Sequence, residues 1–231
     1  MLKMRAAAVL PGLPGRRLRL PRQSICARPA VLEGDQSVNE VIKNMMERRS
    51  IRKYENRQVP DDILEQILYA ASFSPNAGNR QTTQIVVCQD AAMNEQLGKI
   101  KKSLSHVSIS SPGRYISTDQ PSIADDPTIA SAFYSAPTVV TLFGPKRFWF
   151  ADADCYIMAS NICLAAYSLG IGSCLEGVVE DIFDNEFGKE ILRKWNVPEH
   201  LEAKAHITLG YPVGGFPGVK PRKYPNPIIM R

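Results

Sequence analysis

The sequence predicts a central β-sheet covered by helices, in a single domain that follows an N-terminal leader. Helical signals outnumber strand signals, and the strand signals are short and separated by long helical stretches, which is typical of a layered fold. A hydrophobic content of 44% beside 22% charged residues is ordinary for a globular chain, and 231 residues suit one domain. No apolar run reaches the roughly 18 residues that cross a membrane, so no membrane partner is predicted.

The leader is predicted to comprise residues 1–36, and the folded domain residues 37–231. Residues 1–32 hold seven basic and no acidic residues, and their prolines prevent a long helix. This composition suits a mitochondrial transit peptide, although serine is scarce; a disordered leader, or a start codon placed too far upstream, fits equally well. We therefore expect a cytoplasmic protein, or a mitochondrial one if residues 1–35 are a transit peptide.

The charge and the cysteines exclude several classes of function. Without the seven basic residues of the leader, 21 basic and 23 acidic residues remain, so the folded part offers no net positive charge to a nucleic acid. The five cysteines form no CxxC pair and the three histidines are scattered, which predicts reduced thiols and no metal site. No serine lies in a nucleophile-elbow pattern.

The first two helices have recognisable starts. The first is predicted to begin at Ser37 as N-cap, with Glu40 completing a capping box. The second is predicted to follow Pro60, because Pro60, Asp61 and Asp62 form a typical first turn. Its apolar stripe consists of Ile63, Leu64, Ile67, Leu68 and Ala71.

The later elements follow from apolar runs and turn residues. Residues 103–127 are rich in Ser, Pro, Gly and Asp, and a segment of that length is usually a lid or a mobile region. The tail after Gly210 has little apolar content of its own, so we expect it to be ordered only by lying along something else, such as another subunit. Strands are predicted at 84–89, 136–143, just before 176 and at 206–209, and helices at 91–103, 151–169 (buried, because it is apolar nearly all round) and 180–195.

Two basic clusters, 48–52 and 220–223, lie far apart in the sequence. Arg48, Ser50 and Arg52 would share one face of an extended segment, and several such donors together hold a phosphate dianion well. The alternative is a solvated basic cap at the end of the first helix, which the helix dipole favours. Spacing alone does not decide between the two interpretations.

Two further segments are rich in groups that bind ligands. In the loop 74–81, the amides of Asn79 and Gln81 suit the hydroxyls of a sugar alcohol chain or the edge of a heterocycle, although a plain surface loop is the simpler interpretation. Gly177 beside Glu176 would let a ligand approach the backbone. The glycines here do not form a dinucleotide-binding fingerprint.

Taken together, these motifs resemble the FMN-dependent nitroreductase family. The resemblance extends over about residues 38–231. It rests on five motifs in the order seen in that family: Arg48-Arg49-Ser50-Ile51-Arg52, the loop Ser74–Gln81, Leu169-Gly170-Ile171-Gly172, Glu176-Gly177, and Leu209-Gly210-Tyr211-Pro212 with Lys220-Pro221-Arg222.

The resemblance implies an α+β fold on a mostly antiparallel sheet, in a homodimer with exchanged C-terminal arms and two FMN sites at the interface. It implies that the phosphate and ribityl end is held by Arg48, Arg49, Ser50, Arg52, Lys220 and Arg222. It further implies that Asn79 and Gln81 meet the ribityl chain and ring, and that Glu176 and Gly177 lie at the isoalloxazine, with the Gly177 N–H near N5.

The implied activity is that of an NAD(P)H oxidoreductase. Hydride passes through flavin N5 in a ping-pong cycle to a small electron-poor acceptor such as a nitroaromatic or quinone; the resemblance gives no catalytic side chain and no choice between NADH and NADPH. Alternatives are a specialised flavoenzyme of the same fold, such as a reductive dehalogenase or metabolite dehydrogenase, a non-catalytic flavin carrier, and a nucleic-acid partner acting through the leader. Thr82 and Thr83 replace the Pro-Trp of many relatives, which changes the exit of the loop and the apolar wall of the site.

Overall fold

A computed structural model describes residues 39–104, 126–177, 180–222 and 228–230. Val38–Val219 form one compact unit, and Lys220 and Arg222 lie outside it. The predicted leader and most of the predicted lid lie outside the described residues, so both remain predictions. No helix in the described ranges combines the length and apolar character needed to cross a membrane.

The core of the unit is a four-stranded sheet with the strand order β1-β2-β4-β3, in which every neighbouring pair is antiparallel. This confirms the predicted antiparallel sheet. The last strand is longer than predicted, because its polar first half, Glu202 to Lys204, hides it from a search for apolar runs. The strands are β1 (Gln84–Cys88), β2 (Thr138–Pro145), β3 (Gly172–Glu176) and β4 (Leu201–Gly210).

Five helices surround the sheet, as the sequence predicts, with two differences. The first helix begins later than predicted, since its N-cap is Asn39, whose side chain accepts a hydrogen bond from the Val41 N–H. The predicted helix 180–195 is divided, because Asn185 caps a new helix after a 3-10 turn at Glu180–Phe183. The helices are α1 (Glu40–Glu47), α2 (Asp61–Ser72), α3 (Ala91–Leu104), α4 (Ala151–Ser168) and α5 (Glu186–Lys194).

Helices cover both faces of the sheet. On one face, α2 and α4 pack against side chains such as Val140, Leu142 and Ile207. On the other, α3, α5 and the 3-10 turn at 180–183 pack against Val139 and Phe143. The prediction that helix α4 is buried is wrong for its outer side, because Tyr156 and Ile157 are 37% and 40% exposed there.

A β-bulge changes which way the side chains of β4 point. Leu142 pairs with Ala205 but the next residue, Phe143, pairs with Ala203, so Lys204 is an extra residue in β4. Beyond the bulge His206 and Thr208 point to the α3 face of the sheet, where His206 pairs with Thr141 and Glu176 in register. The α3 face is therefore partly polar, and the candidate site lies at this polar part.

Candidate functional site

The first basic cluster lies on an extended segment beside β3. Ser50 forms a parallel bridge with Ser173, and the Ile51 N–H donates to the Ser173 carbonyl over 2.9 Å. Ile51 is buried, and a Cβ on Gly172 would lie 2.9 Å from its Cγ1. The glycine in this motif therefore lets the basic segment approach the strand closely.

Tyr54 fixes the far end of the segment. Its hydroxyl lies 2.6 Å from the Ile51 carbonyl and 2.8 Å from Thr208 Oγ1. A Cβ on Gly210 would lie 2.9 Å from both the Tyr54 ring and Pro137, so the Gly210 of the Leu209–Pro212 motif makes room for this tyrosine. The segment is thus held at both ends, which keeps its backbone extended.

The cations of the cluster do not all behave alike. Arg49 turns back on α1, where its Nη1 donates to the carbonyls of Met46 and Arg48 over 2.8 and 2.6 Å. Arg49 thus caps the C-terminal end of α1, as in the alternative interpretation that the cluster is a basic cap on the first helix. Arg52 is exposed and donates from Nε to Tyr134 Oη over 3.1 Å. Burial acts to lower the pKa of Arg52, but its acidic neighbours, Cys174 first among them, leave it raised.

Ser50 and Arg52 border an open cavity of about 310 Å³. Its other wall is the turn 213–217, in which Gly214 and Gly215 have φ of 76° and 80°. A Cβ at either glycine would meet nothing within 4 Å, so the backbone of this turn is open to a ligand. The cavity therefore combines cationic and hydroxyl donors with accessible backbone.

A buried polar network lies on the same side of the sheet. Lys101 of α3 and Glu176 at the end of β3 are 5% and 8% exposed, and Lys101 Nζ lies 3.4 Å from Glu176 Oε2. The Cys174 thiol donates to Glu176 Oε1 over 3.2 Å. Burial and the neighbouring Glu176 raise the pKa of Cys174 to about 12, so this thiol stays protonated and is no nucleophile.

His206 lies behind this network. It is fully buried, its Nδ1 lies 2.8 Å from Thr141 Oγ1, and its ring packs edge-on against Phe133. Burial, and then the charge of Lys101, lower the pKa of His206 to about 3. The ring is therefore neutral at physiological pH and unsuited to act as a general acid.

The polar loop 74–81 is attached to the start of α4. Asp154 Oδ1 accepts the Ala77 N–H over 2.9 Å, and the loop contains a 3-10 turn at Ala77–Asn79. Asn79 and Gln81 are exposed, have φ of 51° and 52°, and hydrogen-bond to each other through Gln81 Nε2 and Asn79 Oδ1 over 3.2 Å. The two amides thus point to solvent as one pair.

Gly177 lies beside the same end of α4 but on another side of the helix. A Cβ on Gly177 would lie 2.5 Å from Tyr156 Oη, so a larger residue here would have to displace the hydroxyl end of that side chain. Tyr156 and Asp154 are two residues apart, which is about 200° around an α-helix. The loop and Gly177 therefore lie on opposite sides of α4 within one chain.

Two small polar residues, Thr82 and Thr83, stand at the end of the loop, where many relatives have Pro-Trp. Thr82 is exposed, and Thr83 Oγ1 lies 3.8 Å from Cys155 Sγ on α4. Burial raises the pKa of Cys155 to about 11. The exit of the loop is therefore held by a weak thiol contact, in place of an aromatic ring.

The structure brings some of the predicted site residues together. Ser50, Arg52 and Glu176 lie on one side of the sheet around β3, whereas Asn79 and Gln81 lie at the start of α4. Lys220 and Arg222 lie outside the compact unit, so the predicted clamp between the two basic clusters remains a prediction.

Sequence reasoning missed Lys101, Asp154, Tyr134 and His206. For two of them a signal was present. Lys101 continues the buried stripe of α3 formed by Asn94, Leu97 and Gly98, and Asp154 lies in the buried stripe of α4. A charged residue in an apolar stripe indicates a buried partner. No group of His, Cys, Asp or Glu within the described ranges could hold a metal ion.

Comparison with known proteins identifies the family. The model of the nitroreductase family matches residues 45–211. A protein of Methanothermobacter thermautotrophicus, whose name gives it provisionally as an NADH dehydrogenase/NAD(P)H nitroreductase, is 30% identical over 201 residues, which are 86% of this chain and 91% of that protein. The chain therefore belongs to the nitroreductase family.

Solved structures agree with this assignment. A Bacteroides fragilis nitroreductase crystallised with bound FMN is similar with a TM-score of 0.68 and 26% identity, over 84% of this chain and all of that one. A nitroreductase from Desulfitobacterium hafniense, also with bound FMN, has a TM-score of 0.66 and 24% identity over the same shares of the two chains, which supports the fold. The predicted nitroreductase-like α+β fold is confirmed.

Proposed function

We propose that this chain is an FMN-dependent NAD(P)H oxidoreductase that reduces electron-poor acceptors such as nitroaromatics and quinones. The observation that carries the proposal is the joint position of Ser50 and Arg52 on an extended segment, beside an open cavity and close to the end of β3. The relatives support it, because one has NAD(P)H nitroreductase in its name and a structural neighbour at 26% identity contains FMN.

The residues at the cavity fit the phosphate end of FMN. A phosphate dianion needs charge-assisted donors and short hydroxyl bonds, which Arg52 and Ser50 offer at the cavity edge. Gly214 and Gly215 leave part of the opposite wall without side chains, between Val213 and Phe216. Arg49 caps α1 through Nη1, so only its Nε and Nη2, which have no hydrogen-bond partner among the described residues, remain for a ligand. The residues that we propose to hold FMN are those predicted from the resemblance: Arg48, Arg49, Ser50, Arg52, Asn79, Gln81, Glu176, Gly177, Lys220 and Arg222.

The chemistry of the reaction belongs to the cofactor. When bound, FMN supplies it by accepting a hydride at N5 from NADH or NADPH and passing the electrons to the acceptor in a ping-pong cycle. The chain binds FMN and orients it. The Gly177 N–H is the proposed donor to the ring edge, and the thiol of Cys174 and the imidazole of His206 stay neutral. The buried Lys101–Glu176 pair places one cation beside one anion at the end of β3.

We infer that a complete site takes residues from two chains. Asn79 and Gln81 lie across α4 from Gly177, so we propose that one FMN takes these contacts from different chains. A second copy that packs against the exposed side of α4, where Tyr156 and Ile157 lie, would bring its own loop 74–81 to this Gly177. We therefore propose a homodimer with two FMN sites at the interface, with the C-terminal arms exchanged.

We propose a cytoplasmic location, with the mitochondrion as the alternative if residues 1–35 are a transit peptide. The described cysteines, Cys88, Cys155, Cys163 and Cys174, are all free and buried, which suits a reducing compartment. Residues 1–36 as leader and 37–231 as domain remain the proposed division. Fluorescent fusions of the full chain and of residues 37–231 test this, since loss of a mitochondrial signal on deletion would identify a transit peptide.

The test of the proposed function starts with the colour of the purified protein. We expect a yellow protein that releases FMN on denaturation, identified by chromatography and mass spectrometry. Under anaerobic conditions NADH or NADPH should bleach it, and a nitroaromatic or quinone should restore the colour. Bound FMN that neither nucleotide bleaches would indicate a flavin carrier, and a protein that takes up no FMN would disprove the proposal.

A further inference from the structure

Lys101 occupies a position that an apolar residue would normally fill. It lies one turn beyond Leu97 and Gly98 on the buried side of α3 and is 5% exposed. Burying an ammonium group is costly unless a countercharge is present. The fold therefore places Lys101 here together with a partner, which lies 75 residues later in the sequence.

The partner, Glu176, is the last residue of β3 and the last fixed point before Gly177. Its two carboxylate oxygens have separate partners: Lys101 Nζ lies 3.4 Å from Oε2, and the Cys174 thiol donates to Oε1 over 3.2 Å. Beyond it, Gly177 is the first residue after the strand. The carboxylate is thus fixed from both sides at the point where the backbone leaves the sheet.

The strand itself gives this point little support. β3 has five residues and lies at the edge of the sheet, where it pairs with β4. The segment with Ser50 and Ile51 bridges its other side at Ser173, near the start of the strand, so among the described residues the end at Glu176 has no second strand neighbour. Edge-strand ends with hydrogen bonds on one side open readily. Glu176 forms the last register pair of β3, with His206. The contact with α3 supplies the missing restraint across the sheet face.

We propose that Lys101 is a positioning residue, which holds the Glu176–Gly177 backbone in the orientation that receives the ring of the bound cofactor. The inference rests on the proposed function, since it requires that FMN binds at Gly177. Lys101 itself acts through Glu176: its ammonium fixes the carboxylate, and the carboxylate fixes the backbone from which the Gly177 N–H projects.

Two variants separate positioning from simple charge compensation. Lys101→Met leaves Glu176 buried without its cation, so it should lower stability and weaken FMN binding roughly tenfold to hundredfold. In Lys101→Met/Glu176→Gln both charges are absent, so stability should recover. If the ion pair positions the backbone, FMN binding in the double variant stays at least about tenfold weaker than in the wild type. Lys101→Arg keeps the charge and should restore both properties.

The measurements are urea unfolding, FMN affinity by fluorescence titration of the apoprotein, and the absorption spectrum and midpoint potential of the bound flavin. Lys189→Met is the matched control, because it breaks an exposed ion pair with Glu186, and it should change none of them. We expect Lys101→Met to shift the flavin spectrum and potential as well as the affinity. The double variant has no unpaired buried charge, so it should fold even if the single one does not, and it should keep that shift.

Two results would overturn the positioning role while leaving the proposed function intact. One is a folded Lys101→Met protein with wild-type FMN affinity, spectrum and potential. The other is a double variant that recovers all of these together with its stability, because the pair would then only avoid an unpaired charge. A wild-type protein that takes up no FMN would overturn both the proposed function and this inference.

Discussion

Arg52 and Tyr134 meet across 82 residues of sequence: Arg52 Nε donates to Tyr134 Oη over 3.1 Å, and the guanidinium carbon lies 5.8 Å from the centre of the ring. Tyr134 has a φ of 54°, in the left-handed region that a bulky residue seldom adopts. Local backbone strain of this kind persists where the surrounding structure requires it. The contact therefore fixes the orientation of Arg52, which is exposed at the cavity edge.

Tyr134→Phe tests whether this orientation matters for the cofactor. The ring remains but the hydroxyl is lost, and a hydrogen bond to a charged group contributes about 1.5–3 kcal/mol at most. Because Arg52 is exposed, we expect a smaller effect of about 1 kcal/mol, or roughly a fivefold weaker FMN affinity. Fluorescence titration measures it. Tyr69→Phe on the exposed side of α2 should have no effect, and equal affinities for wild type and Tyr134→Phe would contradict the role of the contact.

Arg48→Ala tests the phosphate clamp itself. Loss of one charge-assisted bond to a phosphate should cost about 1.5–3 kcal/mol, which is tenfold to hundredfold in FMN affinity. Lys99→Ala removes an exposed cation from α3 and serves as the control, since Lys99 pairs only weakly with Glu95 at 3.6 Å. An Arg48→Ala protein that keeps a full complement of flavin at nanomolar concentration would show that the phosphate lies elsewhere.

Regular elements could be predicted from the sequence because their signals are local. The stripe Leu64, Ile67 and Ala71 predicts α2, and all three side chains are buried in the structure. The start of β4 was missed, because the bulge at Lys204 interrupts the alternation and places a charged residue inside the strand. A local pattern cannot show that such a lysine has partners, here Asp152 at 2.9 Å and Glu202 at 2.7 Å.

The site was harder to predict, because its contacts join residues distant in sequence. The motif 48–52 shows that cations lie close together, but not that Arg49 turns back onto α1 while Arg52 faces the cavity. Lys101 and Glu176 are 75 residues apart, and only the packing of α3 on the end of β3 makes them a pair. The types of group in the site can therefore be predicted from the sequence, but which of them contact one another depends on the fold.

Asp154→Ala tests how the loop 74–81 is held. Asp154 is 6% exposed and accepts the Ala77 N–H, so its loss leaves a backbone donor without its partner. We expect the free energy of unfolding to fall by about 1–3 kcal/mol and FMN binding to weaken, because Asn79 and Gln81 lose their fixed position. Urea unfolding and flavin titration check both. Glu65→Ala, an exposed acid of α2, is the control; an unchanged FMN affinity would exclude the loop from the site.

Two truncations separate the roles of the C-terminal segment. Phe216 packs edge-on against Tyr167 with ring centres 4.8 Å apart, and the cavity wall comes from the turn 213–217. Truncation after Val219 keeps both features and removes Lys220 and Arg222. Truncation after Val213 removes all of them. We expect both truncations to weaken FMN binding and dimerisation, the second more strongly, as measured by flavin content and analytical ultracentrifugation. A dimer with full flavin after truncation at Val213 would contradict the proposal that FMN binding and dimerisation depend on the C-terminal segment.

His206 should make the stability of the protein depend on pH. Its pKa is about 3 in the folded protein and about 6.5 in an unfolded chain, so between these values the unfolded state binds more protons. The free energy of unfolding therefore rises with pH in this window. The contribution of the neutral His206 decreases progressively as the pH falls from 6.5 toward 3. The slope approaches about 1.4 kcal/mol per pH unit well below pH 6.5, which gives about 1.6 kcal/mol between pH 6.5 and 5.

Urea unfolding at several pH values between 5 and 7.5 isolates this effect when two histidine variants are compared. His206→Gln cannot take up the proton, so its slope should be flatter than that of the wild type, whatever its absolute stability. His200→Gln changes an exposed histidine in the turn before β4 and should keep the wild-type slope. Because the comparison is between slopes, carboxylates that titrate in the same range cancel. Identical slopes for wild type and His206→Gln would mean that His206 takes up its proton as readily in the folded protein as in the unfolded chain.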